Sequence, residues 1–240
     1  MVPVSVRAMG VLSLLLLAVP RYPALATVPS VNVTPVADTT AAANDLSSLE
    51  AATTAAGLDN AVLRQALAAR EQAVSAGETT STLLTVIDYG LPSRIRRLWV
   101  IDLATDSVLA HELVAHGTHS GGDIATSFSN RRGSNQSSLG TFVTGATYHG
   151  QHGLSLRLHG LDAGVNDAAF DRAIVIHGAA YVRESIVPQL GRLGRSQGCP
   201  ALAEDVAPRI IELIKNGTVV YAGRSRESRV VSRASGMASG

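Results

Sequence analysis

The stretch Arg97–His116, RLWVIDLATDSVLAHELVAH, decides the fold. Arg97–Leu103 and Val108–His116 alternate or run β-branched, which is the period of strands. Ala104-Thr105-Asp106-Ser107 supplies turn formers between them, so the pair reads as a hairpin. Leu83–Asp88, just upstream, has the same pattern. Phe142–Thr147, Leu154–Leu158 and Ala173–His177 are further short strands with glycine-containing connections, and Thr218–Ala222 closes the series. Ala203–Lys215 is helical, with Pro208 in or near its first turn and Asn216-Gly217 as its stop. Many short strands with one or two helices predict a mainly β (α+β) domain over residues 81–223. Its architecture is expected to be a β-sandwich or a partly open barrel.

Outward from this domain the patterns change. Between Asp59 and Ala76, Val62, Ala66, Ala69 and Ala73 share one helical face and Gly77 sits at a C-cap position, giving a helical prefix over 59–80. Residues 27–58 open on an aperiodic Thr, Ala, Pro and Val run and are expected to be a flexible leader. Residues 224–240 carry four arginines among small residues and are expected to be a disordered tail. At the start, Arg7 precedes the apolar run Met9–Val19, which is too short to span a bilayer, and Ala24-Leu25-Ala26 offers a small-x-small cleavage site. Residues 1–26 are therefore expected to be a signal peptide, sending the protein to the periplasm or cell wall. Loss of Arg7 and Arg21 takes the formal charge from +1 to −1.

Composition excludes several classes. Apolar residues are 46% and charged residues 16% of 240, too apolar for wholesale disorder. Aromatics at 4% and a net charge of +1 give neither a stacking platform nor a field for nucleic acid. No later apolar run is long enough for a membrane span. One cysteine excludes a disulfide framework and a multi-cysteine zinc site.

Three motifs compete for the chemistry. His111-Glu112-Leu113-Val114-Ala115-His116 resembles a zinc motif, but its histidines are five apart and a strand puts them on opposite faces. His149 and His152 have no carboxylate at ligand spacing, so neither metal nor other cofactor is expected. Gly194-Arg195-Ser196-Gln197-Gly198 matches a serine nucleophile elbow, but no strand precedes it and Pro200 blocks a following helix. Ser196 as nucleophile stays an alternative. The third motif is Cys199. A thiol needs a base near neutral pH, and His177 ends the apolar strand Ala173–Ile176 twenty-two residues upstream. Gly198 lets the chain turn so that backbone N–H groups near Cys199 point at one oxyanion. An inert buried cysteine with an incidental histidine is the competing reading.

Ile176-His177-Gly178 followed by Ser196-Gln197-Gly198-Cys199 resembles the L,D-transpeptidase catalytic domain of the YkuD type. The hairpin over 97–117 is similar to that family's opening hairpin, and Ser137-Ser138-Leu139-Gly140-Thr141-Phe142 to its Thr-Pro-x-Gly-x-Phe segment. The ordered set spans residues 82–222. Ser127–Asn130, Gly133–Gly140 and Gly191–Leu202 resemble the murein L,D-transpeptidase branch in particular. Gln197 stands where the wider family has histidine, and Pro200-Ala201 where it has an aliphatic-arginine pair.

The resemblance implies an acyltransferase on peptidoglycan stem peptides, with Cys199 as nucleophile, His177 as base and D-alanine released through a thioester. Gly198, Cys199 and Gln197 would supply oxyanion donors, and the Gly178 carbonyl would orient His177. Arg195 would bind a stem carboxylate or replace the missing positive charge, Ser196 would bond within the loop, and His152 would line the cleft. Hydrolysis of the same stems and peptidoglycan binding without catalysis remain the alternatives. Oligomeric state is not legible.

Overall fold

The computed structural model describes residues 39–225. The expected signal peptide, the first part of the leader and all but the start of the tail lie outside the described residues. Two helices come first, α1 (Thr39–Ala55) and α2 (Asn60–Ser75). Strands β1 (Leu83–Asp88), β2 (Leu98–Asp102), β3 (Ser107–Glu112), β4 (Gly140–Gly150), β5 (Gly153–Gly160) and β6 (Val175–Gly178) follow. The short helix α3 (Val187–Leu190), β7 (Ala201–Leu202), α4 (Ala207–Ile214) and β8 (Val219–Gly223) complete the order.

The eight strands form one sheet in the order β3-β2-β1-β8-β4-β5-β6-β7. Beyond β3 the chain returns to the far edge, where Ala115 N donates to Ala201 O at 2.8 Å. That bridge nearly closes the sheet. The domain is mainly β, with helices before it and one near its end, as expected.

β2 explains why its sequence is an apolar run. Leu98 and Val100 enter the core beneath the sheet, with Ile210, Ile211 and Ile214 of α4. Trp99 and Ile101 enter a second core on the opposite face, with Val62, Leu63 and Ala66 of α2. A strand buried on both faces has no polar alternate positions. Asp59 caps α2 by accepting from Ala61 N at 2.8 Å and Val62 N at 3.2 Å.

Residues 39–55, expected within the leader, are helical instead. Their Thr- and Ala-rich sequence has little helical period, so tertiary docking sets the helix. Leu49 is buried against α2, and Trp99 Nε1 donates to Ala56 O at 2.9 Å just past the helix end. α1 and α2 cover the sheet face over β1, β2 and β8. Over β5, β6 and β7 the same face is left for the cleft.

Candidate active site

Cys199 and His177 reach one cleft by strand register. β6 and β7 run parallel with His177 opposite Ala201, which puts Cys199 across from Val175. Val175 N–H accordingly points at Cys199 Sγ, 3.5 Å away, and Sγ lies 3.7 Å from Ala173 O. Val175 and His177 are two apart on one strand face, about 6.6 Å along it. Thiol and imidazole are therefore neighbours along the strand, lining a cleft of about 810 Å³.

The His177 ring is held on two sides. Its Nδ1 lies 2.8 Å from Gly178 O, so Nδ1 carries the proton donated to that carbonyl and Nε2 is bare. His152, from the turn between β4 and β5, stacks on it with centroids 4.4 Å apart. Burial lowers the His177 pKa from the ordinary histidine value; the Gly178 bond opposes this and the His152 charge adds to it. Burial raises the Cys199 pKa, against the Val175 N–H and the Arg172 charge. These directions leave the resting pair as neutral thiol and neutral imidazole.

The turn before Cys199 is built by hydrogen bonds to the strand beyond β3. Arg97 is fully buried and donates to Leu91 O at 2.7 Å and Val114 O at 2.9 Å, with Nη2 at 2.8 Å from His116 Nδ1. Burial and the Arg97 charge push His116 down to about 4, so it is a neutral acceptor at physiological pH. His116 O accepts from Ser196 N at 3.0 Å, and Ser196 O accepts from Thr118 N at 2.8 Å. Ser196 Oγ then closes the turn, donating to Cys199 O at 2.6 Å and accepting from Gly198 N at 3.1 Å. Gly198 has φ +126°, and a Cβ there would lie 2.9 Å from Gln136 O. Glycine is thus required both by backbone conformation and by space.

These contacts redistribute the expected roles. Ser196 is bonded within its loop, with no strand before it as an elbow requires. Gly198 N–H, expected as an oxyanion donor, is spent on Ser196 Oγ. Among the described residues, the N–H groups of Gln197 and Cys199 donate to no protein atom. Arg195 lines the cleft, but its Nη1 donates to Gly121 O at 2.7 Å and Thr118 O at 3.2 Å. His111 stacks on Trp99, far in environment from buried His116, and no group of three metal-binding side chains exists among the described residues.

The sequence of residues 54–222 matches the family model of the L,D-transpeptidase catalytic domain. The chain belongs to this family. No curated protein matches it. Among solved structures, an L,D-transpeptidase from Mycobacterium smegmatis aligns at 16% identity and a TM-score of 0.36, covering 59% of this chain and 58% of that one. L,D-transpeptidase 1 of Mycobacterium tuberculosis aligns at 14% identity and a TM-score of 0.33, covering 59% and 62%. This chain thus spans about three fifths of the length of these two L,D-transpeptidases.

Within this L,D-transpeptidase family chain, a cation whose charge acts on the thiol is one that sequence reading passed over. Arg172 donates to Ser129 O at 2.6 Å, Gln136 O at 2.6 Å, Ser134 Oγ at 3.2 Å and Ser138 Oγ. It ties the irregular segment 129–138 to the strand that carries His177, and Gln136 is also the residue packed on Gly198. The only signal in sequence is its place just before the apolar strand, which many surface arginines share.

Two outcomes are expected. Arg172→Gln removes a charge that favours thiolate, so iodoacetamide alkylation of Cys199 at fixed pH slows by about threefold to tenfold. Arg172→Lys keeps that charge but loses the planar fork, so alkylation stays near wild type while the melting temperature falls. Ser196→Ala removes both bonds that the Ser196 hydroxyl makes in the turn, at a cost of about 1–3 kcal/mol. Its thiol is expected to remain alkylatable and the protein active at a reduced rate. A dead Ser196→Ala protein beside an active Cys199→Ala protein would restore the serine-elbow reading.

Proposed function

We propose that the protein is an exported cysteine acyltransferase acting on peptidoglycan stem peptides. The observation that carries this is the register of β6 and β7, which brings one thiol and one Nε2-bare imidazole into the same cleft. Family membership supports the choice of reaction, and the sequence of residues 1–26 supports export.

His177 Nε2 takes the proton from Cys199 Sγ as sulfur attacks the carbonyl carbon at the L-centre of the third stem residue. The N–H groups of Cys199 and Gln197 hold the resulting oxyanion, each donor lowering the barrier by about 3–4 kcal/mol. The intermediate collapses by breaking the C–N bond to D-alanine, and His177 returns its proton to the leaving amine. A thioester remains. An amine from a neighbouring stem attacks it, gives its proton to His177 and releases the thiolate, leaving a cross-link. His177 then reprotonates the sulfur.

Incubation with purified tetrapeptide muropeptides tests this by mass analysis of products. Dimers with released D-alanine are the expected result. Tripeptides without dimers would mean hydrolysis of the same thioester. Unchanged substrate with retained binding to sacculi would mean a non-catalytic wall binder and overturn the proposal.

A further inference from the structure

Phe170, Arg157, His159 and Tyr148 form a continuous stack on the outward face of β4 and β5. His159 and Phe170 lie parallel, with centroids 4.9 Å apart and planes 14° apart. The Arg157 guanidinium sits 4.5 Å from the Tyr148 ring centroid and 5.5 Å from that of Phe170. Arg157 and His159 are two apart on β5, so Phe170 lies across both. Gly145 makes room beneath, since a Cβ there would come within 2.6 Å of His159 Nε2.

Two features of this stack are not those of a simple cover over the sheet. Phe170 remains 48% exposed, the only aromatic among the exposed large apolar side chains of the described residues. Its ring is packed on His159 and Arg157, yet about half of the side chain stays in solvent. The polar edges are also unspent. Among the described residues, Arg157, His159 and Tyr148 side chains make no hydrogen bond or ion pair. A half-buried guanidinium with its faces stacked and its in-plane N–H groups unused is a ready donor set.

The stack continues into the cleft. Tyr148 lines the cleft wall, and Asp171 and Arg172, next after Phe170 in the chain, line it too. A ligand on the stack would therefore be joined to whatever occupies the cleft. Flat exposed rings suit the C–H face of a pyranose, whose hydrogens carry the positive charge that a ring face attracts. Arginine and histidine edges suit acetamido carbonyls and hydroxyls. Both demands are met by one ligand class, a β-1,4-linked strand of N-acetylated amino sugars.

We propose that this stack is a glycan platform that holds the sugar backbone while its stem peptide enters the cleft. The choice of sugar rests on the proposed reaction. The test therefore has one arm with turnover and one without.

In the first arm, kcat/KM is compared for a free tetrapeptide stem and for the same stem on its amino-sugar disaccharide. Wild type is expected to favour the disaccharide-bearing stem by about tenfold. Phe170→Leu, which keeps an apolar side chain but no flat face, and Arg157→Gln are expected to lose most of that preference. Equal kcat/KM for the two substrates in wild type overturns the platform. So does a loss in Phe170→Leu that is the same for both substrates, the mark of a purely structural cover.

In the second arm, an N-acetylglucosamine tetramer is titrated into isotope-labelled Cys199→Ala protein. Resonances of Phe170, His159 and Tyr148 are expected to shift at millimolar sugar. Silence there overturns the platform whatever the enzyme does. Shifts without turnover of either substrate support the platform and overturn the reaction.

Discussion

Cys199→Ala is expected to lower D-alanine release from a tetrapeptide muropeptide by about 10⁴-fold or more, because it removes the sulfur proposed to carry the acyl group, while the Ser196 hydroxyl is committed to its own turn. The substitution is a clean one. Cys199 contributes only a partly buried sulfur to the core beneath the sheet, and its contacts are to strand backbone at 3.5 and 3.7 Å. The turn that presents it is held by Ser196 and Ser137, whose hydroxyls donate to Cys199 O and Gly198 O and survive the change. The melting temperature is accordingly expected to move by only a few degrees. The same variant decides a second measurement. Wild type exposed to a carbapenem is expected to gain one adduct by intact mass, and Cys199→Ala none. A Cys199→Ala protein that still released D-alanine would remove the thiol from the mechanism.

Locality is what singles this residue out in the sequence. His177-Gly178 and Ser196–Cys199 are short words whose meaning survives without knowing what surrounds them. The same holds for β2, whose run of four apolar residues had to be buried on both faces. Arg172 is the opposite case. Its importance lies in bonds to Ser129, Ser134, Gln136 and Ser138, more than thirty residues upstream, and nothing beside it in sequence announces them. Arg195 is the matching case. It stands next to the motif in sequence, yet its guanidinium is committed to the carbonyls of Thr118 and Gly121.

The helical prefix shows a similar division. α2 carries its own cap, Asp59, and its own apolar stripe, so its limits agree with the pattern to within a residue. α1 shows little apolar period in its sequence and is held by Trp99 and the α2 surface. β7 is two residues long and exists only because Ala201 pairs with both His177 and Ala115. Periodicity cannot reveal a strand shorter than its own repeat.

Gly198 shows how neighbouring groups decide where a backbone N–H is used. Its glycine is needed, but to let the chain pass Gln136 O, and its N–H is turned inward to Ser196. The donors left open are those of Gln197 and Cys199.

His177→Ala is expected to lower kcat/KM by about 10²- to 10⁴-fold, the usual worth of a placed general base. The pH dependence separates two ways of losing it. Burial holds His177 below the ordinary imidazole value and Cys199 above the ordinary thiol value. The imidazole must be neutral to accept the proton, so the acid limb of kcat/KM is expected below about pH 6.5. The thiol must hold the proton that His177 removes, so the alkaline limb is expected above about pH 8.5. Alkylation by iodoacetamide needs thiolate and no base. Its rate is expected to rise only along that alkaline limb, and His177→Ala should change it little at pH 7. A preformed thiolate–imidazolium pair behaves differently. Alkylation would then be fast across neutral pH, fall along an acid limb, and collapse in His177→Ala. That result would mean that substrate-free Cys199 is already ionised, and that His177 acts by holding charge in the ground state instead of moving a proton during attack.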